Sequence, residues 1–268
     1  MPLTLVNTEL IGTTFVVSIN RPEVRNAVDL DCASELAEAF RVFEDDDEAR
    51  VAVLRGEGGT FCSGADLRAI ATGRRNRLEP DGDGPMGPTR MHLRKPVIAA
   101  IDGYAVAGGL ELALWCDLRV MERDATLGVF CRRFGVPLVD GGTVRLPQIV
   151  GLGRALDLIM TGRAVGADEA LAIGLVSRVV DNGTVRQRAV ELAESIASFP
   201  TTCMLEDRAS TYESLGLPPG EALVNEYHHG RRSIGEAMAN GVTRFVEGVG
   251  RHGSFDDPRS KPDGLAID

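Results

Sequence analysis

Short apolar runs alternate with glycine-rich turns through the first two thirds of the chain, which predicts alternating strands and helices. Strands are expected at residues 13–19, 51–54, Val97–Ile101 and 126–130. Each of these runs is apolar and most are rich in β-branched residues, and turn-forming residues lie close to their ends. This order of elements indicates an α/β protein.

Helical spacing of apolar residues predicts a first helix at 30–43, with Asp29 as its N-cap. Further helices are expected at 155–160, Ala167–Ala172 and 185–199, and over 208–249 with a break at 216–220. Residues 253–268 are expected to be loose. The adjacent His228 and His229 are expected on the surface, because neighbouring positions on a helix do not face one site.

One unit of strand, glycine-rich turn and helix occurs twice. The first unit runs from the strand at 51–54 through a small-residue turn into a short helix after Asp66. The second begins 46 residues later, at Val97, and passes through a similar turn into a helix at 110–115. A unit that cannot bury its apolar face alone stacks on its neighbour, so we expect the two units to pack together.

The segment between the units, residues 73–88, carries three arginines, four glycines and three prolines, and is expected to be a mobile surface loop. Residues 82–87 within it match the GxGxxG pattern of dinucleotide-binding turns. No predicted strand precedes this pattern and Pro85 interrupts it, so it does not indicate a nucleotide site.

Composition narrows the classes of function. The 268 residues carry a net charge of −10 and 44% hydrophobic side chains, values typical of a globular protein. The acidic balance argues against nucleic acid as a partner, because phosphate binding needs a basic face. The most apolar stretch, 97–115, contains Asp102, Glu111 and three glycines, so we interpret it as buried core and expect no membrane partner.

The cysteines and the first residues bear on the compartment. Five scattered cysteines without a CxxC pair favour neither disulfides nor a metal site. The first ten residues contain no arginine or lysine, so they lack the basic start of a signal peptide. Together these features lead us to expect a reducing compartment, the cytoplasm.

The two glycine-rich turns have a chemical interpretation. Each places unpaired backbone N–H groups at the start of a predicted helix, where the dipole favours negative charge. If the N–H groups of Ala65 and Gly108 point at one spot, they stabilise an oxyanion that develops on a substrate carbonyl. The alternative is that the small residues serve only tight packing between strand and helix.

Glu111 is the second candidate, because it lies inside the most apolar segment of the chain. Burial would raise the pKa of its carboxyl while the helix N-terminus would lower it, which leaves a group able to exchange protons near neutral pH. The alternative is a glutamate that caps the first turn of the helix.

Several motifs resemble the enoyl-CoA hydratase/isomerase (crotonase) family. They are Asn20-Arg21-Pro22, Arg25-Asn26-Ala27, Phe61-Cys62-Ser63-Gly64-Ala65-Asp66-Leu67, Gly103-Tyr104-Ala105-Val106-Ala107-Gly108-Gly109-Leu110-Glu111-Leu112, and Gly141-Gly142-Thr143 with Arg145-Leu146. The resemblance runs from the first strand to about Val180 and continues weakly into the C-terminal helices.

The resemblance implies a fold and an assembly. The fold would be a crotonase-like ββα spiral over residues 1–199, followed by a C-terminal helical trimerisation region over residues 200–268. The expected assembly is a homotrimer or a hexamer. The expected substrate is an acyl-CoA thioester, with no separate cofactor, since CoA is part of the substrate.

The resemblance also assigns roles to residues. The oxyanion hole falls on Ala65 and Gly108, the first catalytic glutamate on Glu111, and CoA binding on Arg25, Ser63 and Ala65. For the CoA phosphates, Arg68 and the arginines of residues 73–88 are a second choice after Arg25.

The second glutamate that hydratases of the family use falls on Cys131. A thiol is a poor substitute for a carboxylic acid, so the position is expected to hold a small buried filler unless Arg132 and Arg133 lower the pKa of the thiol. Asp140 is the nearest alternative acid, and its other interpretation is an N-cap.

Three functions stay open. The first is an enoyl-CoA hydratase-type lyase that stabilises a thioester enolate. The second is an enoyl-CoA isomerase or another enolate reaction that needs one acid. The third is a non-catalytic acyl-CoA binding protein, which a buried Glu111 argues against, because binding alone needs no such group.

Overall fold

A computed structural model describes residues 5–249, apart from the side chains of residues 236 and 237. The chain divides into two compact units, Met1–Ala193 and Glu194–Asp268. All the strands of the described residues belong to the first unit, and the helix over Val185–Ala197 crosses the boundary. None of the described helices combines the length and apolarity that a bilayer crossing requires.

A six-stranded sheet forms the centre of the first unit. Its strands are β1 (Val6–Ile11), β2 (Thr14–Ile19), β3 (Val51–Gly56), β4 (Val97–Ile101), β6 (Leu118–Glu122) and β9 (Arg178–Val180), in the order β1-β2-β3-β4-β6-β9. The hairpin of β1 and β2 is antiparallel, and the other neighbours are parallel. Every residue of β2 and β4 is buried, as expected for strands covered on both faces.

A second, three-stranded sheet consists of β5 (Tyr104–Val106), β7 (Thr126–Gly128) and β8 (Ala164–Gly166). Cys62 extends it by one residue through a parallel bridge to Ala105. The chain therefore passes repeatedly from a strand of the large sheet to a strand of the small sheet and then to a helix. This is the ββα spiral that the resemblance implied, and it confirms the repeated unit.

Seven α-helices accompany the described strands. They are α1 (Leu30–Asp45), α2 (Leu67–Ala71), α3 (Gly108–Trp115), α4 (Gly142–Val150), α5 (Leu152–Thr161), α6 (Ala167–Ala172) and α7 (Val185–Ala197). The predicted cap of α1 is confirmed, because the Asp29 carboxylate accepts the Cys32 N–H at 3.0 Å. Helix α3 begins two residues earlier than predicted and includes both glycines of its turn. A Cβ on Gly109 would lie 2.1 Å from the Cys62 carbonyl oxygen, so only glycine permits this approach.

The second unit contains α8 (Thr201–Glu213), α9 (Pro219–Ser233) and α10 (Glu236–Val246), with breaks at 214–218 and 234–235. The expected surface position of His229 is wrong, since the residue is only 4% exposed. Its ring nitrogens lie 2.7 Å from Glu206 Oε2 and 2.9 Å from Glu213 Oε2, and these contacts join α9 to α8. The predicted loose segment 253–268 lies outside the described residues.

Two predictions about the first unit need correction. The strand at 126–130 ends at Gly128, and Phe130–Phe134 forms a 3-10 helix instead. The loop 73–88 is not a surface loop throughout, because Asn76 and residues 84–88 are buried. Asn76 supplies the reason: its amide nitrogen donates to the carbonyls of Val28 at 3.1 Å and Pro85 at 2.7 Å, which satisfies backbone groups that burial would otherwise leave unpaired.

Candidate active site

The two glycine-rich turns lie against each other. The Cys62 N–H donates to the Tyr104 carbonyl at 2.9 Å, and the Val106 N–H donates to the Cys62 carbonyl at 3.1 Å. A Cβ on Gly64 would lie 3.0 Å from the Gly108 nitrogen and 2.9 Å from the Ala107 Cβ. This approach requires glycine at position 64, and it brings the start of α3 beside the turn that precedes α2.

The N–H groups of Ala65 and Gly108 are both available for a ligand. Among the described residues, neither donates a hydrogen bond to another protein atom, whereas the neighbouring N–H groups of Asp66 and Ala107 donate to Val28 and Gly128. Gly108 is the first residue of α3, so its N–H has no partner within the helix. Both residues line the same cavity, whose volume is about 350 Å³.

Glu111 also lines this cavity, and its carboxylate is held by backbone groups. The residue is only 2% exposed. Its Oε1 atom accepts the N–H of Gly142 at 2.8 Å and the N–H of Asp140 at 2.9 Å. With Oε1 engaged twice, Oε2 is the oxygen left to carry a proton.

Burial and a neighbouring charge set the proton affinity of Glu111. Desolvation and then the negative charge of Asp140 raise the pKa of Glu111 from 4.5 to about 7, against the opposing effect of the two N–H donors. Both protonation states are therefore populated near neutral pH. A group poised in this way suits general acid–base chemistry.

Asp140 is 3% exposed and does not cap α4, so its interpretation as an N-cap is wrong. Its Oδ1 atom instead accepts the N–H of Met86 at 2.9 Å and the hydroxyl of Thr89 at 2.5 Å. Burial raises the pKa of Asp140, and these two donors oppose the rise. The side chain thus ties the buried end of the 73–88 loop to the turn that holds Glu111.

Cys131 lines the same cavity and is buried. Burial, followed by the charge of Glu111, raises the pKa of its thiol, so the neighbouring arginines do not activate it. Arg132 and Arg133 point their guanidinium groups at the carbonyls of Ile159 and Gly162 instead. At neutral pH Cys131 is therefore a neutral thiol in the same cavity as Glu111.

Of the residues predicted for CoA binding, Ser63 and Ala65 line the cavity and Arg25 does not. Ser63 lines the cavity beside Ala65. The side chain of Arg25 is exposed and does not line the cavity, but the Arg25 carbonyl accepts the Ser63 N–H at 3.1 Å. Arg25 therefore lies directly beside the turn that carries Ser63.

Sequence reasoning missed the residues that build the first turn. Arg21 forms ion pairs with Asp29 at 3.0 Å and with Asp66 at 3.1 Å, which join the N-caps of α1 and α2. The buried Asn26 donates to the carbonyls of Glu57 and Thr60 at 2.8 and 2.5 Å. The motif from Asn20 to Ala27 was the available signal, but its role is to shape the turn.

Met86 was also missed. Its N–H binds Asp140, and a Cβ on Gly108 would lie 2.7 Å from its sulfur. Met86 therefore packs directly on the start of α3 and forms one wall of the cavity. A methionine in a glycine- and proline-rich loop gives no sequence signal for such a position.

Comparison with known proteins agrees with this architecture. The family model described as enoyl-CoA hydratase/isomerase matches residues 11–249. The enoyl-CoA hydratase EchA19 of Mycobacterium tuberculosis is 33% identical over 222 residues, which cover 79% of this chain and 81% of that protein. The carnitinyl-CoA dehydratase of Escherichia coli K12 is 39% identical over 193 residues, which cover 70% and 72% of the two chains.

Solved structures show the same fold. The crystal structure of an enoyl-CoA hydratase from Mycobacterium tuberculosis H37Rv superposes with a TM-score of 0.85 and 33% identity, covering 91% of this chain and 96% of the other. That of EchA1 from Mycobacterium marinum gives a TM-score of 0.85 and 32% identity, with coverage of 91% and 96%. The chain belongs to the enoyl-CoA hydratase/isomerase (crotonase) family.

Proposed function

We propose that this protein is an enoyl-CoA hydratase-type lyase that adds water to, or removes it from, a 2-enoyl-CoA thioester through an enolate. The main support is that one cavity is lined by Ala65 and Gly108, whose backbone N–H groups have no acceptor among the described residues, and by Glu111. Glu111 is a buried carboxylate whose pKa is raised to about 7. The names of the hydratase and dehydratase relatives support the same class of reaction.

The N–H groups of Ala65 and Gly108 would bind the thioester oxygen. As a bond forms at the β-carbon, negative charge moves to this oxygen, and the two donors stabilise it more than the neutral carbonyl. Removal of one such donor from an enzyme typically costs about 3 kcal/mol of transition-state stabilisation. The oxyanion hole would therefore be the largest single contribution to catalysis.

Glu111 would carry the proton. As a carboxylate it takes a proton from water while the water oxygen bonds to the β-carbon, and the electron pair of the double bond moves into the enolate. The protonated Glu111 then gives its proton to the α-carbon, so one group completes the addition and returns to its starting state. The elimination follows the same steps in reverse.

Asp140 would act on this cycle through Glu111. Its backbone N–H holds Oε1 of Glu111, and its charge raises the pKa of that carboxyl. Ser63 and Arg25 stay predictions for contacts with CoA. The homotrimer or hexamer and the cytoplasmic location likewise stay predictions.

A second candidate is double-bond isomerisation, in which Glu111 moves one proton between the α- and γ-carbons. The observation that favours it is Cys131, because a thiol whose pKa is raised cannot act as a second base to orient water. The third hypothesis is a non-catalytic acyl-CoA binding protein. The buried Glu111 argues against it, because burying a carboxylate costs free energy and binding alone does not need one.

Two substrates separate these functions. We would assay crotonyl-CoA for hydration and 3-butenoyl-CoA for isomerisation with the wild type, Glu111→Gln and Cys131→Glu. If the protein is a hydratase-type lyase, the wild type hydrates crotonyl-CoA and the Glu111→Gln variant does not. Isomerisation alone by the wild type, with hydration gained in Cys131→Glu, would contradict the proposal and favour the second candidate.

A further inference from the structure

The loop of residues 73–91 carries four arginines, and three of them have partners within the described residues. Arg74 pairs with Asp31 at 2.5 Å, and Arg77 pairs with Asp81 at 3.0 Å. Arg90 donates to the Glu79 carbonyl. Arg75 differs from these three, because no described residue forms an ion pair or a hydrogen bond with its side chain.

Arg75 is also the only basic residue among the described residues that line the cavity. Most of the lining is apolar, and it includes Leu78, Phe130, Phe134 and Val136. Arg75 is exposed, so this residue lies where the cavity opens to solvent. A single cation at the mouth of an apolar cavity is a recognition feature for a ligand that is apolar along its length and negative at one end.

The main chain on both sides of Arg75 is anchored. Asn76 is 7% exposed and donates to Val28 and Pro85. On the N-terminal side, the Arg74 N–H donates to the Ala69 carbonyl at 3.0 Å. These contacts fix the position of the Arg75 backbone before a ligand arrives, which reduces the entropy that binding would cost.

We propose that Arg75 binds a carboxylate at the far end of the acyl chain, so that the preferred substrates are CoA monothioesters of dicarboxylic acids. This inference rests on the proposed function for the reacting end of the substrate. The guanidinium fork matches a carboxylate with two parallel hydrogen bonds. The two buried acids, Glu111 and Asp140, would repel an anion in this cavity, so a cation is needed for the anion to enter.

A carboxylate fits the cavity better than a phosphate of CoA does. The phosphates carry more charge and are more strongly hydrated, so their transfer to an apolar cavity costs more free energy. The exposed Arg25, which lies beside Ser63 outside the cavity lining, is better placed for a phosphate.

A matched pair of substrates tests the inference. We would compare 2-hexenoyl-CoA with the monothioester of 2-hexenedioic acid, which differ by the terminal carboxylate. The ratio of kcat/KM between them would be measured for the wild type, Arg75→Ala, Arg75→Lys and the control Arg74→Ala. Arg74 is an exposed neighbour that pairs with Asp31 outside the cavity lining.

We expect the wild type to prefer the carboxylated substrate by roughly tenfold or more, the range of a charge-assisted hydrogen bond. Arg75→Ala should abolish this preference, Arg75→Lys should keep part of it, and Arg74→Ala should keep all of it. A preference for the neutral substrate, or an equal loss on both substrates in Arg75→Ala, would overturn the inference, the latter because it indicates a contact with CoA.

Binding measurements test the role of Arg75 independently of the proposed reaction. If the wild type turns over neither substrate, the proposed function fails, and the dissociation constants of hexanoyl-CoA and the monothioester of hexanedioic acid are compared by calorimetry. A tighter Kd for the carboxylated compound that Arg75→Ala removes supports the role of Arg75 without any turnover. Equal Kd values in the wild type contradict it.

Discussion

Glu111 and Gly142 are matched to each other at the centre of the site. The Gly142 N–H donates to Glu111 Oε1 at 2.8 Å, and a Cβ at position 142 would lie 2.9 Å from that same oxygen. The first residue of α4 therefore both binds the carboxylate and leaves room for it. Glycine at position 142 is thus required by the acid that it holds.

Gly142→Ala is expected to displace the carboxylate of Glu111 and lower kcat about a hundredfold, as misplacement of a catalytic group by about 1 Å does. The control is Gly153→Ala, because a Cβ there meets no atom within 4 Å. Both variants should fold, as judged by circular dichroism. Wild-type turnover in Gly142→Ala would show that the position of Glu111 is not limiting.

The pH dependence of kcat/KM should report the pKa of Glu111. The proposed base is the carboxylate, so activity should fall as the pH drops through about 7. Asp140→Asn removes the negative charge that raises this pKa. The pH at which activity falls should therefore be lower in this variant. Asp157→Asn, at a half-exposed position of α5 outside the cavity lining, should leave that pH unchanged. If Asp140→Asn leaves that pH unchanged, Glu111 does not determine it.

The contact between the two turns predicts a loss of oxyanion stabilisation in Gly64→Ala. The added Cβ would lie 3.0 Å from the Gly108 nitrogen, at a backbone φ of +98°, so the turns must separate. We expect kcat to fall by about a hundredfold or more, as for the loss of one donor. Gly59→Ala is the matched control, because it has a φ of +79° but no atom within 4 Å of its Cβ. Equal effects of the two changes would indicate backbone strain alone.

Stability should also depend on pH through Glu111. Its pKa in the folded state, about 7, lies above the ordinary value of 4.5, so the folded state binds the proton more tightly than the unfolded state. The associated stability is present below about pH 4.5 and is lost as the pH rises through 7, by about 3 kcal/mol. Urea unfolding at acidic and alkaline pH measures this loss.

Glu111→Gln is expected to remove that part of the pH dependence, since Gln carries no titrating proton and its oxygen still accepts the two N–H groups. The control is Glu38→Gln, whose wild-type side chain is exposed. If wild type and Glu111→Gln lose stability equally between the two pH values, the burial of Glu111 does not raise its pKa as described.

Local signals allowed part of the fold and the site to be predicted. Asp29 sits directly before an amphipathic run, so its capping role could be inferred from adjacent residues alone. Glu111 was recognised because a carboxylate inside an apolar run has few structural uses. The two turns were found through the repeat of strand, turn and helix.

Long-range contacts account for what was not predicted. The burial of residues 84–88 depends on Asn76 and on Asp140, which lies more than fifty positions away from Met86 along the chain. Buried and exposed residues do not alternate along strand β1, which has one buried and four exposed residues among its six. The strand forms through its antiparallel pairing with β2. No periodicity in the sequence contains such information.

Deuterium incorporation at the α-carbon would show whether Glu111 transfers the proton. Crotonyl-CoA would be incubated in deuterated water with the wild type and with Glu111→Gln, and proton NMR would follow the α- and β-carbons. We expect the wild type to form the 3-hydroxyacyl thioester with deuterium at the α-carbon, and Glu111→Gln to do so at least about a hundredfold more slowly. Equal rates of deuterium incorporation in the two proteins would contradict this expectation, as would a wild type that binds crotonyl-CoA and incorporates none.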